Sequence, residues 1–191
     1  IPGLSNSQGL PTNAIYGFTT MLIKLLRDQA PDYIAIAFDV KGPTFRHEAF
    51  ADYKATRRAT PDTLIPQIPY VKEIVRGFAI PVLEQQGLEA DDIIATLAKE
   101  AEAQGFEVVI VSGDKDLMQM ISPRVCMWDT FKNQIFDLKT VQERFGTSPS
   151  QWVDIMGLAG DSSDNVPWVP GIGEKTAVKL IQAHGSLDNI L

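Results

Sequence analysis

Apolar positions recur at helical spacing over residues 13–29, where Ile15, Phe18, Leu22, Leu25 and Leu26 share one face and Asn13 is placed to cap the start. Tyr33-Ile-Ala-Ile-Ala-Phe38 is a short apolar run, read as a buried strand that ends at Asp39. Residues 40–61 are polar and basic and have no clean period. Helical spacing returns from Asp62 to Arg76; Pro66 suits a first turn, while Pro69 opposes a helix interior. Ile80–Leu83 predicts a short strand, and Glu89–Gln104 an amphipathic helix with an acidic start, closed by Gly105. Val108–Val111 is the clearest strand, followed by Ser-Gly-Asp-Lys-Asp and a short helix, Leu117–Ile121. Val125–Trp128 and Gln134–Phe136 predict a hairpin across Lys132-Asn133. Helices at 138–145 and 149–158 lead into a Gly/Pro-rich segment, 160–173, and a last helix, Glu174–Ala183. Strands alternating with helices predict an α/β fold with a mostly parallel central sheet flanked by helices, its site beyond the carboxyl ends of the strands.

Composition narrows this only a little. A chain of 191 residues suits one large domain or a domain with an appendage. No apolar run approaches the roughly 18 residues of a membrane span, so no membrane partner is expected. The single cysteine, Cys126, excludes an intramolecular disulfide and agrees with a reducing compartment; its apolar surroundings favour packing over catalysis. The first residues, Ile-Pro-Gly-Leu, have neither an initiator Met nor the layout of a signal peptide, and read as a start inside a longer sequence. The net charge of −7 opposes nucleic acid as a partner, unless the acids are gathered around cations.

The acids are gathered. Glu89-Ala-Asp-Asp92 puts three carboxylates in four residues, with no Lys or Arg within six residues on either side, so a metal cation is the natural partner. Asp39, Asp114, Asp116, Asp161 and Asp164 follow apolar segments or sit in Gly-containing turns. Such oxygen ligands suit Mg²⁺ or Mn²⁺, and the His and Cys ligands expected for zinc are missing. The bland reading is that these are ordinary helix caps and turn residues. Lys41, Arg46, Tyr53, Lys54, Arg57 and Arg58 lie in the basic stretch, where Lys and Arg suit phosphates and Tyr suits base stacking; a solvated loop is the plain alternative. Val169-Pro-Gly171-Ile-Gly173-Glu-Lys175-Thr176 is a tight turn opening a helix, suited to holding a phosphate or simply to joining two helices. Together these features suggest two-metal hydrolysis of phosphodiesters.

At these residues the chain resembles the 5′ nuclease domains of bacterial DNA polymerase I, within the flap endonuclease family. The likeness is carried by Phe38-Asp-Val-Lys-Gly-Pro-Thr-Phe-Arg46, Tyr53-Lys54, Glu89-Ala-Asp-Asp92, Ser112-Gly-Asp-Lys-Asp-Leu117, Gly160-Asp-Ser-Ser-Asp-Asn165 and Gly171-Ile-Gly-Glu-Lys-Thr-Ala177. The resemblance implies a PIN-like nuclease core over residues 1–159 and a helix-hairpin-helix element over 160–191. It implies a metal-dependent enzyme that removes 5′ flaps and RNA primers, acting on flapped or nicked DNA at the nucleoid in the bacterial cytoplasm, with a polymerase on the same full-length chain. Asp39, Glu89, Asp91 and Asp92 would serve one metal, and Asp114, Asp116, Asp161 and Asp164 the second. Tyr53, Lys54 and Arg57 would lie on an arch helix over the site. Gly171, Gly173, Lys175 and Thr176 would grip duplex phosphate, with a monovalent cation such as K⁺. The family opens with a strand ending in Asp-Gly, which would lie upstream of Ile1, and it usually has Gly where Trp168 stands here. Trp168 is expected to pack beneath the hairpin. Two other readings stand beside this one: a DNA-junction binding module without that strand's ligand, and a small-molecule phosphatase with an Asp nucleophile. The latter wants an Asp-x-Asp after the first strand, which Asp39-Val-Lys41 does not supply.

Overall fold

Helix α1 spans Asn13–Gln29 in the computed structural model, which describes residues 3–191. Asn13 does not cap it. Thr12 holds the cap position without a side-chain bond, and the first amides are satisfied from elsewhere in the chain. The buried Gln67 Oε1 accepts from the N–H groups of Ala14 and Ile15 at 2.8 and 3.2 Å, and its Nε2 donates to Asn13 Oδ1 at 3.1 Å. Of the apolar stripe, Leu22 alone is fully buried, packed with Val75 and Ile80; Phe18 and Leu26 lie against them.

Strand β1 is Ile36–Ala37, shorter than the apolar run around it, and pairs in parallel with β2, Val82–Leu83. Between them lie the short helix α2, Phe45–Ala49, and α3, Ile68–Gly77. The expected helix from Asp62 begins later. Pro66 sits in a 3₁₀ turn, Ile65–Gln67, and Pro69 in the first turn of α3. A missing N–H is harmless there, so both prolines mark the start rather than interrupt a helix. Helix α4, Ala90–Ala103, begins directly after Glu89, and Gly105 leaves it with φ 88°.

Strand β3, Val108–Val111, pairs in parallel with β4, Val125–Asp129, and β4 pairs antiparallel with β5, Gln134–Phe136. Asn133 turns the hairpin with φ 48°. The buried Asp129 accepts from the N–H groups of Phe131 and Lys132, both at 3.0 Å. The strands described thus fall into two small sheets, parallel at β1–β2 and β3–β4. Helices α5, Leu138–Phe145, α6, Trp152–Ala159, and α7, Glu174–His184, follow, with α6 packed on α7. Val141, Trp152, Ile155, Ala177 and Ile181 of these helices join Ile110 and Met127 in the main core. The fold places Asp39 after β1, Glu89 before α4 and Asp114 after β3, so each acid stands near the end of an ordered element.

Candidate active site

Glu89 is buried, which a carboxylate tolerates only with partners. It has two. Tyr53 Oη lies 3.0 Å from Glu89 Oε2, and Lys54 Nζ lies 2.9 Å from Oε1. Asp92 is held differently. Arg46 grips it through both guanidinium arms at 2.8 and 2.7 Å, and its Oδ2 also accepts the Glu89 N–H at 2.9 Å. These charge-assisted bonds hold the Asp92 carboxyl below its ordinary range. Arg46 and Lys54 thus reach the acidic stretch from far along the chain, and Asp92 holds both Arg46 and the start of α4.

The remaining acids press on one another. Burial, then the charges of Asp114, Asp39 and Glu89, push Asp91 up to about 6. Burial, then Asp114 and Asp161, push Asp116 up to about 6 as well. Asp114 therefore faces both groups. Asp39 accepts the Ala90 N–H at 2.8 Å, which ties the end of β1 to the start of α4. Asp114 accepts the Asp116 N–H at 3.0 Å, and Asp161 accepts the Ser163 N–H at 2.6 Å. Asp116 Oδ1 is buried without any hydrogen-bond partner. An orphaned carboxylate oxygen among like charges suits a hard divalent cation. Among the described residues no three acids close around one point, so the fit rests on carboxylate chemistry and on that oxygen.

The basic stretch crosses this site as consecutive turns over 51–56, not as an arch helix. Lys54 is left-handed, φ 57°, a conformation that stops a helix. Its N–H donates to the Asp164 carbonyl at 2.9 Å, while Tyr53 Oη lies 2.8 Å from Asp164 Oδ2. Lys54 Nζ and Arg57 stand 3.6 and 3.8 Å from the same carboxylate. Tyr53 is buried, with His47 edge-on at 5.2 Å, so its ring is not free to stack on a base. Burial and the bond to Asp164 raise its phenol well above the usual range, so it remains a neutral donor. Lys41, Arg57 and Arg58 are exposed, as are Gly171, Gly173, Lys175 and Thr176 at the start of α7. Asn165, quoted in the Gly160–Asn165 motif but given no role there, is left-handed, φ 58°, and its Nδ2 donates to the Asp52 carbonyl at 2.8 Å, locking the Asp161–Asp164 turn to the basic stretch.

Trp168 does not pack beneath the hairpin. It is 61% exposed, while Ile172 of the same segment packs against the core.

The first family model that matches is the 5′-3′ exonuclease N-terminal resolvase-like domain, over residues 1–146. The C-terminal SAM fold of the same exonucleases matches 147–191, which places α6 together with α7. The chain belongs to the 5′-3′ exonuclease family. It is 50% identical over 196 residues to DNA polymerase I of Bacillus caldotenax, covering all of this chain and 22% of that protein. It is 44% identical over 191 residues to a 5′-3′ exonuclease of Aquifex aeolicus, covering all of this chain and 66% of that protein. The chain thus spans about a fifth of the length of the DNA polymerase I it matches. Its fold is shared with the zinc-bound T5 5′-exonuclease, with a TM-score of 0.79, 20% identity, and 97% of this chain and 72% of that one covered. No helix among the described residues is long and apolar enough to cross a membrane.

Proposed function

We propose that this chain is the 5′ nuclease part of a longer bacterial polypeptide that also carries a polymerase. It hydrolyses phosphodiester bonds near the 5′ end of a strand, at a flap, a nick or an RNA primer, in the cytoplasm at the nucleoid. Two divalent ions, Mg²⁺ or Mn²⁺, serve as cofactors. The observation that carries this reading is that four separate segments bring acids together, leaving Asp116 Oδ1 buried without a partner, while burial and then the neighbouring carboxylates raise Asp91 and Asp116 to about 6. Asp39, Glu89 and Asp91 would hold one ion, Asp116, Asp161 and Asp164 the other, with Asp114 between them. Bound there, the ions would supply the Lewis acidity that activates water and stabilises the leaving oxygen.

The chain's own groups do the rest. Lys54 and Arg57 sit on the rim of the acidic site and hold the phosphate beside the cleaved bond. Tyr53 positions Glu89 and Asp164 through its hydroxyl and does not touch the substrate. Lys41 and Arg58 meet phosphates further out. The nuclease core lies in residues 1–159, and Asp161 and Asp164 from the segment that follows complete its second ion site. Residues 160–191 grip duplex through the Gly171–Gly173 turn, Lys175 and Thr176, with a monovalent cation such as K⁺.

The test is cleavage of a labelled 5′-flap duplex with Mg²⁺ and with EDTA. Product that appears only with metal supports the reading, and metal-independent or absent cleavage refutes it. A second reading, a junction-binding module that does not cut, is favoured by the hold that Lys54 and Arg46 already have on Glu89 and Asp92. Tight, flap-selective binding with no metal-dependent product would select it.

A further inference from the structure

The chain has three tryptophans. Trp128 and Trp152 are 6% and 1% exposed, whereas Trp168 is 61% exposed. Other aromatics are exposed too, Phe131 and Tyr33 more fully, and what distinguishes Trp168 is the stiff frame that holds it. On one side Val166 and Asp161 exchange backbone bonds at 2.7 and 3.1 Å. On the other, the Val169 N–H donates to the Leu158 carbonyl at 3.0 Å, and the Ile172 N–H to the Val169 carbonyl at 2.9 Å. Beneath it, a Cβ on Gly160 would stand 2.6 Å from the Val166 carbonyl oxygen and 2.7 Å from that of Pro167, so the segment lies directly against the end of α6. Pro167 and Pro170 flank the pair Trp168-Val169 and remove backbone freedom on both sides. The indole is thus presented with little left to order on binding. It also has a defined place, four residues after Asp164 and three before Gly171, on the strap that joins the acidic site to the hairpin.

We infer that Trp168 is a stacking platform for a base laid bare at a discontinuity of the duplex, a nick, a flap junction or a strand end. The inference rests on the reading of this chain as a DNA-cleaving domain. A continuous duplex offers no open base face, since each is covered by its neighbours. A junction offers one, and aromatic stacking on it is indifferent to sequence. Lys and Arg contacts cannot make that distinction, because phosphates are present on both kinds of DNA. Trp168 therefore supplies preference for broken duplex, while the basic side chains supply general affinity.

The experiment compares wild type, Trp168→Ala and Trp168→Phe on a nicked flap duplex and on a continuous duplex of equal length. Each DNA carries 2-aminopurine at the central position. Trp168→Ala is expected to weaken binding to the nicked DNA by about tenfold and to leave the continuous duplex unchanged, with Trp168→Phe recovering most of the loss. Wild type and Trp168→Phe are expected to quench 2-aminopurine beside the nick, and Trp168→Ala to leave it bright. Equal losses on both DNAs, or quenching that survives in Trp168→Ala, would overturn the inference. If wild type binds both DNAs and Trp168→Ala matches it throughout, the inference alone fails. If wild type binds neither, the DNA-cleaving reading fails and takes this one with it.

Discussion

Asp116 carries an unresolved conflict: it is half-buried, faces Asp114 and Asp161, and leaves one oxygen without a partner. Its folded value of about 6 lies above the ordinary carboxylate value, as does that of Asp91. The folded protein therefore binds extra protons between these values, and stability rises as pH falls through 6 towards 4. In EDTA, thermal unfolding at pH 5 is expected at a higher temperature than at pH 7.5. Asp116→Asn is expected to raise the pH 7.5 value and shrink the difference, while cutting flap cleavage on the order of a hundredfold or more. A scan that shows the opposite slope would remove the electrostatic account of the site. Arg46 makes the contrasting case. Because both arms hold Asp92, Arg46→Ala is expected to cost about 1–2 kcal/mol of stability in a denaturant titration. Arg46→Lys should not restore it, since an ammonium cannot bridge both oxygens. The dependence of DNA binding on salt should stay as it is in wild type.

The turns over 51–56 and the Asp161–Asp164 turn form one unit, sewn together by Tyr53, Lys54 and Asn165. Lys54→Ala and Arg57→Ala are each expected to flatten the log–log salt dependence of flap binding by about one unit, which separates them from Arg46. Asn165→Ala loses the bond to Asp52 and forces a left-handed backbone on an ill-suited residue. Faster tryptic cutting after Lys54, Arg57 and Arg58 is the expected outcome, and an unchanged digest would show that the turn holds without Asn165. Why these contacts escaped a reading of the sequence is a matter of distance along the chain. Helices α1 and α4 and the β4–β5 hairpin were legible, because period, glycine and turn chemistry act over a few residues. The cap of α1 comes from Gln67, which is 53 residues beyond Ala14, and the partner of Asp92 lies 46 residues before it. No local pattern encodes either. The acids themselves were legible as candidates, but their division between Arg46, Lys54 and one another was not.

The formal charge of −7 and the proposed binding of DNA are reconciled by where the charges stand. Eight of the acids are assigned to the candidate site, and Lys41, Arg57, Arg58 and Lys175 remain exposed. Trp168 shows the limit of composition: surface and interior tryptophans look alike in a sequence, and only the fold decides between them. The bond from Tyr53 to Asp164 has a further consequence, because it joins residues 111 apart. On a ribosome adding about 5 to 20 residues per second, Asp164 is made roughly 5 to 20 seconds after Tyr53. Until then Glu89 and Lys54 exist without the turn that completes their unit, and Asp116 without Asp161. A nascent chain arrested before Asp161 is therefore expected to show no nuclease activity in a flap assay, whereas one released after α7 has formed should cut.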